Sequence, residues 1–436
     1  MKLNRRQFFA SAGAAGLFAA GGCKGFPAIT ATRSPNSRLA LAQVGTANRA
    51  WADLSEIGAH PRLDVTALCD VDSEYLARAH RAYPNARTYR DWRELLDAEG
   101  DRIDAVFVGV PDHNHCDIAV AAMRRGKHVM CEKPMAHSLD EIRLMRSFAA
   151  ETGVVTQLGT QYAALTADRQ TVEVLRSGVL GPVRHAWLFS NRKGKSRQKR
   201  HLPDPSPVPD TLDWKLWLGR AAYRPYARDV YHPTMWRVWH DFGSGWIGDM
   251  GSHIMSSLWL GLDMGNRLPI DVRAEVLPDE DNAVTRVCWP RGAHIIWTFP
   301  GVAATDGKDL TVEWFDGQAD DPAVPRSLLP PEFLHRLFAE KTSYEKLFLQ
   351  GKVVECEKGW VFQGHENQEF AVVMKDGSSF EPPFLASAPS HYHDFVDKAV
   401  YGGRARSDFS WSASMSEALF WGNIAEKRPN ERIVCA

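Results

Sequence analysis

The sequence predicts an α/β protein in two parts, a Rossmann-like parallel-sheet domain followed by an α/β domain with a large, mostly antiparallel sheet. Three observations carry this. From Arg38 to about Gln157, short apolar runs alternate with helical patterns, the layout of parallel strands joined by crossover helices. Beyond about Gly159 the apolar runs alternate in the β manner, with turn residues such as Pro290-Arg291-Gly292 between neighbours. The chain has 436 residues with 44% hydrophobic content, enough to fill two cores. The expected division is 1–35 as export signal and linker, 36–158 as the first domain and 159–436 as the second.

In the first half, Leu39 to Val44, Leu63 to Cys69, Asp104 to Val110, His128 to Cys131 and Val154 to Gln157 read as strands with helices between them. The helix after Ser138 carries a capping box, Ser138 with Glu141 three residues on. It then places Ile142, Met145 and Phe148 at helical spacing until Gly153 ends it. In the second half, Val183 to Ser190, Asp271 to Val276, Ala283 to Trp289, Ala293 to Phe299 and Leu310 to Phe315 read as strands. The stretch Asn191 to Pro269 opens with a basic loop, Arg192 to Arg200, passes through Pro203, Pro205, Pro207 and Pro209, and becomes rich in tryptophan. The basic run reads as a solvated loop rather than an anion site. His391 to Val400 and Ala413 to Ala425 read as helices, expected to pack back on the first domain.

With 52 basic and 53 acidic side chains, no overall field draws in nucleic acid or an anionic membrane. The seven cysteines are widely spaced, odd in number and form no C-x-x-C pair, so neither a disulfide framework nor a zinc site is indicated. The first 25 residues have an export pattern: Lys2, Arg5 and Arg6, then an Ala/Gly-rich apolar run from Ala10 to Gly22 that is too short to span a membrane. The Arg5-Arg6 pair resembles a twin-arginine signal, whose pathway carries folded cargo. Gly21-Gly22-Cys23 fits a lipoprotein cleavage site with Cys23 lipidated, although Ala20 stands where a larger aliphatic residue is usual. A periplasmic and a lipid-anchored form both stay open.

Gly45-Thr46-Ala47-Asn48-Arg49-Ala50 follows the first strand and leads into a helix, the place of a dinucleotide fingerprint G-x-G-x-x-G/A. Gly45 and Ala50 comply, whereas the Ala47 methyl group intrudes where the middle Gly normally admits the pyrophosphate. Asp70, ending the second strand, can accept hydrogen bonds from the adenosine ribose, and its charge repels a 2'-phosphate. NAD is thus expected over NADP, with Arg49 able to offset part of the repulsion. The competing reading is that Asp70 and Asp72 only start the helix near Ser73.

A more specific pattern is Ile103 to Val110 and Pro111, then His115, then Gly126-Lys127-His128-Val129-Met130-Cys131-Glu132-Lys133-Pro134. Asp213 to Gly219, Trp239 to Gly243, Gly248-Asp249-Met250-Gly251-Ser252-His253 and Ser412 to Asn423 extend it. Together these resemble the Gfo/Idh/MocA (glucose-fructose oxidoreductase, inositol dehydrogenase, MocA) family from about Arg38 to the C-terminus, with Asp316 to Pro389 the least familiar region. The resemblance implies a Rossmann-like domain, a second domain with a largely antiparallel sheet, oligomerisation through that sheet, and redox chemistry on a sugar or polyol carbinol with bound NAD(P). It implies a cofactor site at Gly45, Thr46, Ala47, Asn48, Arg49, Asp70, Pro111, His115, Glu132, Lys133 and Gln161. Ala47 is the departure and bears on cofactor affinity.

Oxidation of a secondary alcohol needs a base for the hydroxyl proton and a donor for the developing oxyanion. Asp249 and His253, four apart on a helix, share one face. His253 is the candidate base, with Asp249 orienting it or binding substrate. Lys133, at the end of a parallel strand where α/β sheets place their ligands, is the candidate donor, and Pro134 fixes the chain after it. The resemblance gives Lys133, Asp249 and His253 these roles. No compact third ligand joins Asp249 and His253, so no metal is expected. Trp214, Trp217, Trp236, Trp239, Trp246 and Trp259 crowd the same stretch. One or two are expected to cover a sugar face beside Arg237 and Asp241, with Trp236 the substrate candidate, and the rest to be core.

Three functions compete. The first is an oxidoreductase on a sugar, glycoside or cyclitol with a tightly held dinucleotide regenerated by a second substrate. The second is a glycosidase that oxidises one carbinol only transiently, so that the aglycone eliminates. The third is an exported sugar-binding protein on a retired enzyme scaffold.

Overall fold

The computed structural model describes residues 38–191, 200–317, 330–333, 335, 350–365 and 369–435. The export motif, Cys23 and residues 192–199 of the basic run lie outside the described residues.

The first half forms β1 (Leu39–Val44), α1 (Arg49–Gly58), β2 (Leu63–Cys69), α2 (Ser73–Ala82), β3 (Arg87–Tyr89), α3 (Trp92–Glu99), β4 (Ala105–Val108), α4 (His115–Arg124), β5 (His128–Cys131), α5 (Leu139–Thr152) and β6 (Thr156–Leu158). Its six strands are parallel in the order β3-β2-β1-β4-β5-β6, so the chain reverses direction across the sheet between β1 and β4. Successive strand residues serve opposite faces. Ala42, Val44, Val106, Val108 and Val129 pack with Ile118, Ala119, Met123 and Ile142 on one face. Leu39, Leu41, Phe107 and Met130 pack on the other with Tyr392, Phe395 and Val396, which arrive from the far end of the chain.

The second half continues with α6 (Thr166–Ser177), β7 (Val183–Ser190), α7 (Trp214–Leu218), α8 (Gly245–Gly261), β8 (Asp271–Leu277), α9 (Asn282–Thr285), β9 (Gly292–Phe299) and β10 (Leu310–Asp316). After these come β11 (Gln350–Cys356), β12 (Gly359–Gly364), β13 (Phe370–Met374), α10 (His391–Tyr401), α11 (Phe409–Glu426) and β14 (Ile433–Val434). The eight strands run β13-β12-β11-β7-β10-β9-β8-β14, antiparallel except for the parallel pair β7 and β10. One face holds α8 and α11, with Ile247, Ile254, Met255 and Leu419 against Leu188, Ile295, Trp297 and Trp314. The other carries Trp187, Phe189, Phe315, Trp360 and Phe362. The C-terminal helices reach the first domain: α10 covers its sheet, and Arg143 of α5 pairs with Glu417 of α11.

Two expectations are corrected. Ala283 to Trp289 is no strand. Asp281 accepts from the Ala283 N–H and starts the short α9, which buries Val284; Cys288 beyond it forms an isolated bridge with Trp239, and β8 pairs directly with β9. The box at α5 is also shifted by one residue: Ser138 Oγ accepts from the Glu141 N–H at 3.2 Å, but the Glu141 carboxylate accepts from His137 N at 3.0 Å rather than from Ser138.

Between β7 and β8 a strap from the second domain returns to the first. The Ser73 N–H donates to Thr211 O at 2.9 Å, the Asp213 N–H to Val71 O at 3.0 Å, and the Arg90 guanidinium to both carbonyls at 2.9 and 2.7 Å. Its aromatic residues hold its shape: Trp214 stacks on Trp217 at 4.7 Å and on Tyr231 at 5.8 Å, and Phe242 packs edge-on against Trp217 and Tyr231. Burying each such ring stabilises the strap by roughly 1.5–3 kcal/mol.

Candidate active site

The site is a cleft at the carboxyl ends of the parallel strands, where the strand order reverses between β1 and β4, the expected place for a dinucleotide. Gly45 has φ +87°, and a Cβ there would collide with the Gly109 carbonyl, so the loop after β1 requires glycine on both counts. Asn48 takes the left-handed conformation at φ 52° and gives α1 no side-chain cap, which leaves the first-turn N–H groups for an anion. The fingerprint residues Gly45, Thr46, Ala47, Asn48, Arg49 and Ala50 all line the cleft, with Ala47 partly exposed within it. These features fit a dinucleotide pyrophosphate.

Asp70 and Asp72 divide the two roles weighed from sequence. Asp72 caps α2, accepting from Glu74 N. Asp70 pins the fingerprint loop, its Oδ2 accepting from Thr46 N at 2.8 Å and Thr46 Oγ1 at 2.9 Å, while it lines the cleft. Burial pushes its pKa up, against the hydrogen bonds from Asp72 and Thr46. Arg49 turns towards Asp53 and the Tyr392 hydroxyl at 2.7 Å, so its guanidinium is already engaged away from Asp70.

At the other end of the cleft lie Pro111, Glu132 and Lys133. Glu132 is buried. Its Oε2 accepts from Lys133 N at 3.2 Å, its Oε1 has no hydrogen-bond partner, and burial pushes its pKa up to about 8. The orphaned oxygen lies against Gly159, where there is no room for a Cβ. The Lys133 ammonium donates to Asp249 Oδ1 and Asp249 O, both at 2.7 Å, and is 8% exposed. Arg237 Nε reaches the same Oδ1 at 3.2 Å. Burial raises the Asp249 pKa, but Lys133 and Arg237 outweigh it and hold the carboxyl well below the usual range.

His253 lies one turn along α8 from Asp249. Burial, then the charge of Lys133, keeps its imidazole neutral, and its Nδ1 has no hydrogen-bond partner. Tyr162 packs on it edge-on at 5.1 Å, with His365 at 5.4 Å. Thus Lys133, Asp249 and His253 do come together, although Lys133 lines the cleft while Asp249 and His253 stand behind it.

Two expected contacts fall elsewhere. His115 is buried behind the wall, its ring nitrogens 2.8 Å from Pro134 O and 2.7 Å from Val110 O, so it braces the two cleft loops rather than touching a ligand. Gln161 faces a neighbouring groove with Tyr162, Leu165 and Tyr392 because the short turn after β6 carries it away from the β1–β4 switch point. Trp236 lines the cleft, with Arg237 stacked on it at 4.3 Å. Of the six tryptophans weighed from sequence, Trp217 joins Trp236 in lining the cleft, whereas sequence reading missed Tyr75, Arg90 and Trp92 at the Asp70 end, and the strap residues His232 and Pro233 that roof the cleft beside Trp217. The signal for Trp92 was its place just after β3, which is too short and exposed to show periodicity.

Residues 40–160 match the family model described as an oxidoreductase family with an NAD-binding Rossmann fold, and residues 174–298 match its C-terminal alpha/beta domain. The chain belongs to the Gfo/Idh/MocA oxidoreductase family. It is 24% identical over 190 residues to levoglucosan dehydrogenase of Pseudarthrobacter phenanthrenivorans, covering 43% of this chain and 40% of that protein. With D-apiose dehydrogenase of Paraburkholderia graminis it shares 31% over 132 residues, 30% of this chain and 33% of the relative. With a glycosyl hydrolase family 109 protein of Stenotrophomonas maltophilia it shares 28% over 159 residues, 34% and 35% of the two chains. These matches span about 33–40% of the curated relatives' length. Among solved structures, the aldose-aldose oxidoreductase from Caulobacter crescentus with glycerol gives a TM-score of 0.61 at 17% identity, over 91% of this chain and 100% of that one. Levoglucosan dehydrogenase with NADH and levoglucosan gives 0.59 at 15%, over 91% and 99%. This family's fold is therefore the fold of the whole described chain.

Proposed function

We propose that the protein is an oxidoreductase acting on a carbinol of a sugar, glycoside or cyclitol with NAD in preference to NADP. The observation that carries this is the ammonium of Lys133 in the cleft, held on the ionised Asp249, one helical turn from the neutral imidazole of His253. A nicotinamide bound in the cleft supplies the hydride acceptor and donor. The chain supplies the rest: Lys133 donates to the reacting oxygen and stabilises its negative charge, and His253 accepts the hydroxyl proton. Asp249 fixes the ammonium. The Asp70 carboxylate, with Arg49 engaged by Asp53, supports NAD over NADP.

The strap roofing the cleft supports tight retention of the dinucleotide, with a second carbonyl substrate returning the enzyme to its starting state. That cycle suits the exported form read from Arg5-Arg6, where free NAD is scarce, whether soluble or anchored at Cys23. A homo-oligomer through the C-terminal sheet completes the proposal. A second reading, a glycosidase using transient oxidation, is favoured by the family 109 relatives. Purified protein should produce reduced nicotinamide with members of a sugar and cyclitol panel, and His253→Asn should not. Sugar release from a glycoside with no net nicotinamide reduction would move the assignment to the second reading, and neither result would remove both.

A further inference from the structure

We propose that Asp112 is a positioning residue for the reaction: from the first domain it holds the start of α8, and so sets Asp249 and His253 against Lys133. This rests on the carbinol-oxidising reading of the cleft and adds a residue to it.

The reacting groups come from two domains. Lys133 follows β5, whereas Asp249 and His253 stand on α8, so the 2.7 Å bond between Lys133 and Asp249 bridges the domains. That bond lasts only if helix and strand keep their places. α8 opens without a side-chain cap of its own, for Ser244 stands before it and the Ser244 hydroxyl has no hydrogen-bond partner. Instead the Ser244 N–H donates to Asp112 Oδ2 at 3.0 Å. Asp112 comes directly after Pro111 of the cleft wall and is 3% exposed, so water does not compete for this bond. An imported carboxylate suits the positive end of a helix, where backbone N–H groups lack partners. Asp249 follows in the second turn, too close to the anchor to move independently of it.

The anchor is itself anchored. In the turn Asp112–Asn114 the ring nitrogens of His113 lie 3.3 Å from Phe242 O and 3.1 Å from Trp217 O, and Asn114 Nδ2 donates to Trp217 O at 3.1 Å. One turn of the first domain therefore grips both the strap and α8. From the other side Asn423 of α11 donates to Ser244 O at 2.9 Å. Gly248 keeps the helix close to the residue after Lys133: a Cβ there would lie 3.5 Å from the Pro134 ring. Asp112 also faces Lys133 and Arg237, which attract its charge, and Asp249, which repels it. Burial outweighs the two cations and pushes its pKa up to about 7. The accepting oxygen, more than a full negative charge, is thus what Asp112 brings to Ser244, and an asparagine offers the same oxygen in the same shape.

The test uses full-length protein with NAD and counts sites by NAD calorimetry, so that kcat per site does not register a smaller folded fraction. Asp112→Ala should lower kcat per site by about 10- to 100-fold, because misplacement on the scale of an ångström costs that much. NAD affinity should change by less than about threefold, since Asp112 does not line the cleft. Hydrogen exchange read by mass spectrometry without any ligand should show faster exchange of the 244–249 amides in the alanine variant. Asp112→Asn should recover most of the turnover and most of the protection. Wild-type kcat per site and wild-type exchange in Asp112→Ala, or a loss confined to KM or to thermal stability, would overturn the inference. An asparagine variant as impaired as the alanine one would overturn it too, since charge would then be the active ingredient. Wild-type protein that reduces no nicotinamide with any carbohydrate would remove the dehydrogenase reading instead, while the exchange rates would still decide whether Asp112 holds α8.

Discussion

Replacing Lys133 by Met keeps much of the side-chain length and removes the charge, which separates chemistry from binding. The ammonium makes two bonds of 2.7 Å to Asp249 and is 8% exposed, so water cannot readily take its place. Loss of a preorganised donor to a developing oxyanion costs about 2.7–4 kcal/mol, so kcat should fall by about 10²- to 10³-fold. Removing one member of a buried ion pair costs about 3–5 kcal/mol. Because Arg237 still reaches Asp249 at 3.2 Å, the stability loss should lie at the low end of that range. Without the neighbouring cation the His253 pKa rises, so the base stays protonated to higher pH and the acid limb of the kcat profile moves up. Dinucleotide affinity should change less than about tenfold, since Gly45, Thr46 and Asp70 grip the other end of the cleft. Steady-state kinetics across pH, thermal unfolding and NAD calorimetry measure these separately. A variant with unchanged kcat and raised KM would refute the reasoning, because Lys133 would then only bind substrate.

Gly45→Ala should abolish measurable NAD binding by calorimetry, since it demands φ +87° of alanine and drives a methyl into the Gly109 carbonyl. Asp70→Asn should raise the NADP to NAD preference in kcat/KM by about tenfold or more and also weaken NAD, because the Thr46 anchor loses its charge. Trp217→Ala should open the roof and speed NAD release in stopped flow, with kcat much less affected. Glu313, between His185 at 2.7 Å and His294 at 2.6 Å, has its pKa depressed from 4.5 to about 2. Its contribution to stability is present above pH 4.5 and is lost as pH falls towards about 2, so Glu313→Gln should flatten acid unfolding in that window, as followed by circular dichroism.

The first domain was legible because its strands are buried on both faces and bounded by clear turns: β1, β2 and β5 fall where the apolar runs place them. β3, with three largely exposed residues, has no such run. In the second domain Ala283 to Trp289 is apolar enough for a strand, but a side-chain cap at Asp281 overrides that composition. β11 and β12 are buried along nearly their whole length and lack alternation, and β11 holds its buried Lys352 on Ser257 and Gln363, a partnership no local pattern reveals. The triad was visible because Asp249 and His253 share a helix and Lys133 ends a strand. The roof was not, since Trp217 and His232 reach the cleft only through the returning strap. His115 was misplaced for the converse reason, a motif position whose side chain serves the loops around the ligand.

Isotope transfer tests the central claim most directly. The protein, loaded with oxidised NAD, is incubated with an accepted sugar deuterated at every carbinol carbon, and the dinucleotide released on denaturation is weighed by mass spectrometry. A single deuteron on the nicotinamide is the predicted result, appearing with wild-type protein and suppressed in Lys133→Met. Release of product from the sugar with an unlabelled dinucleotide, or equal labelling in the variant, would contradict the account.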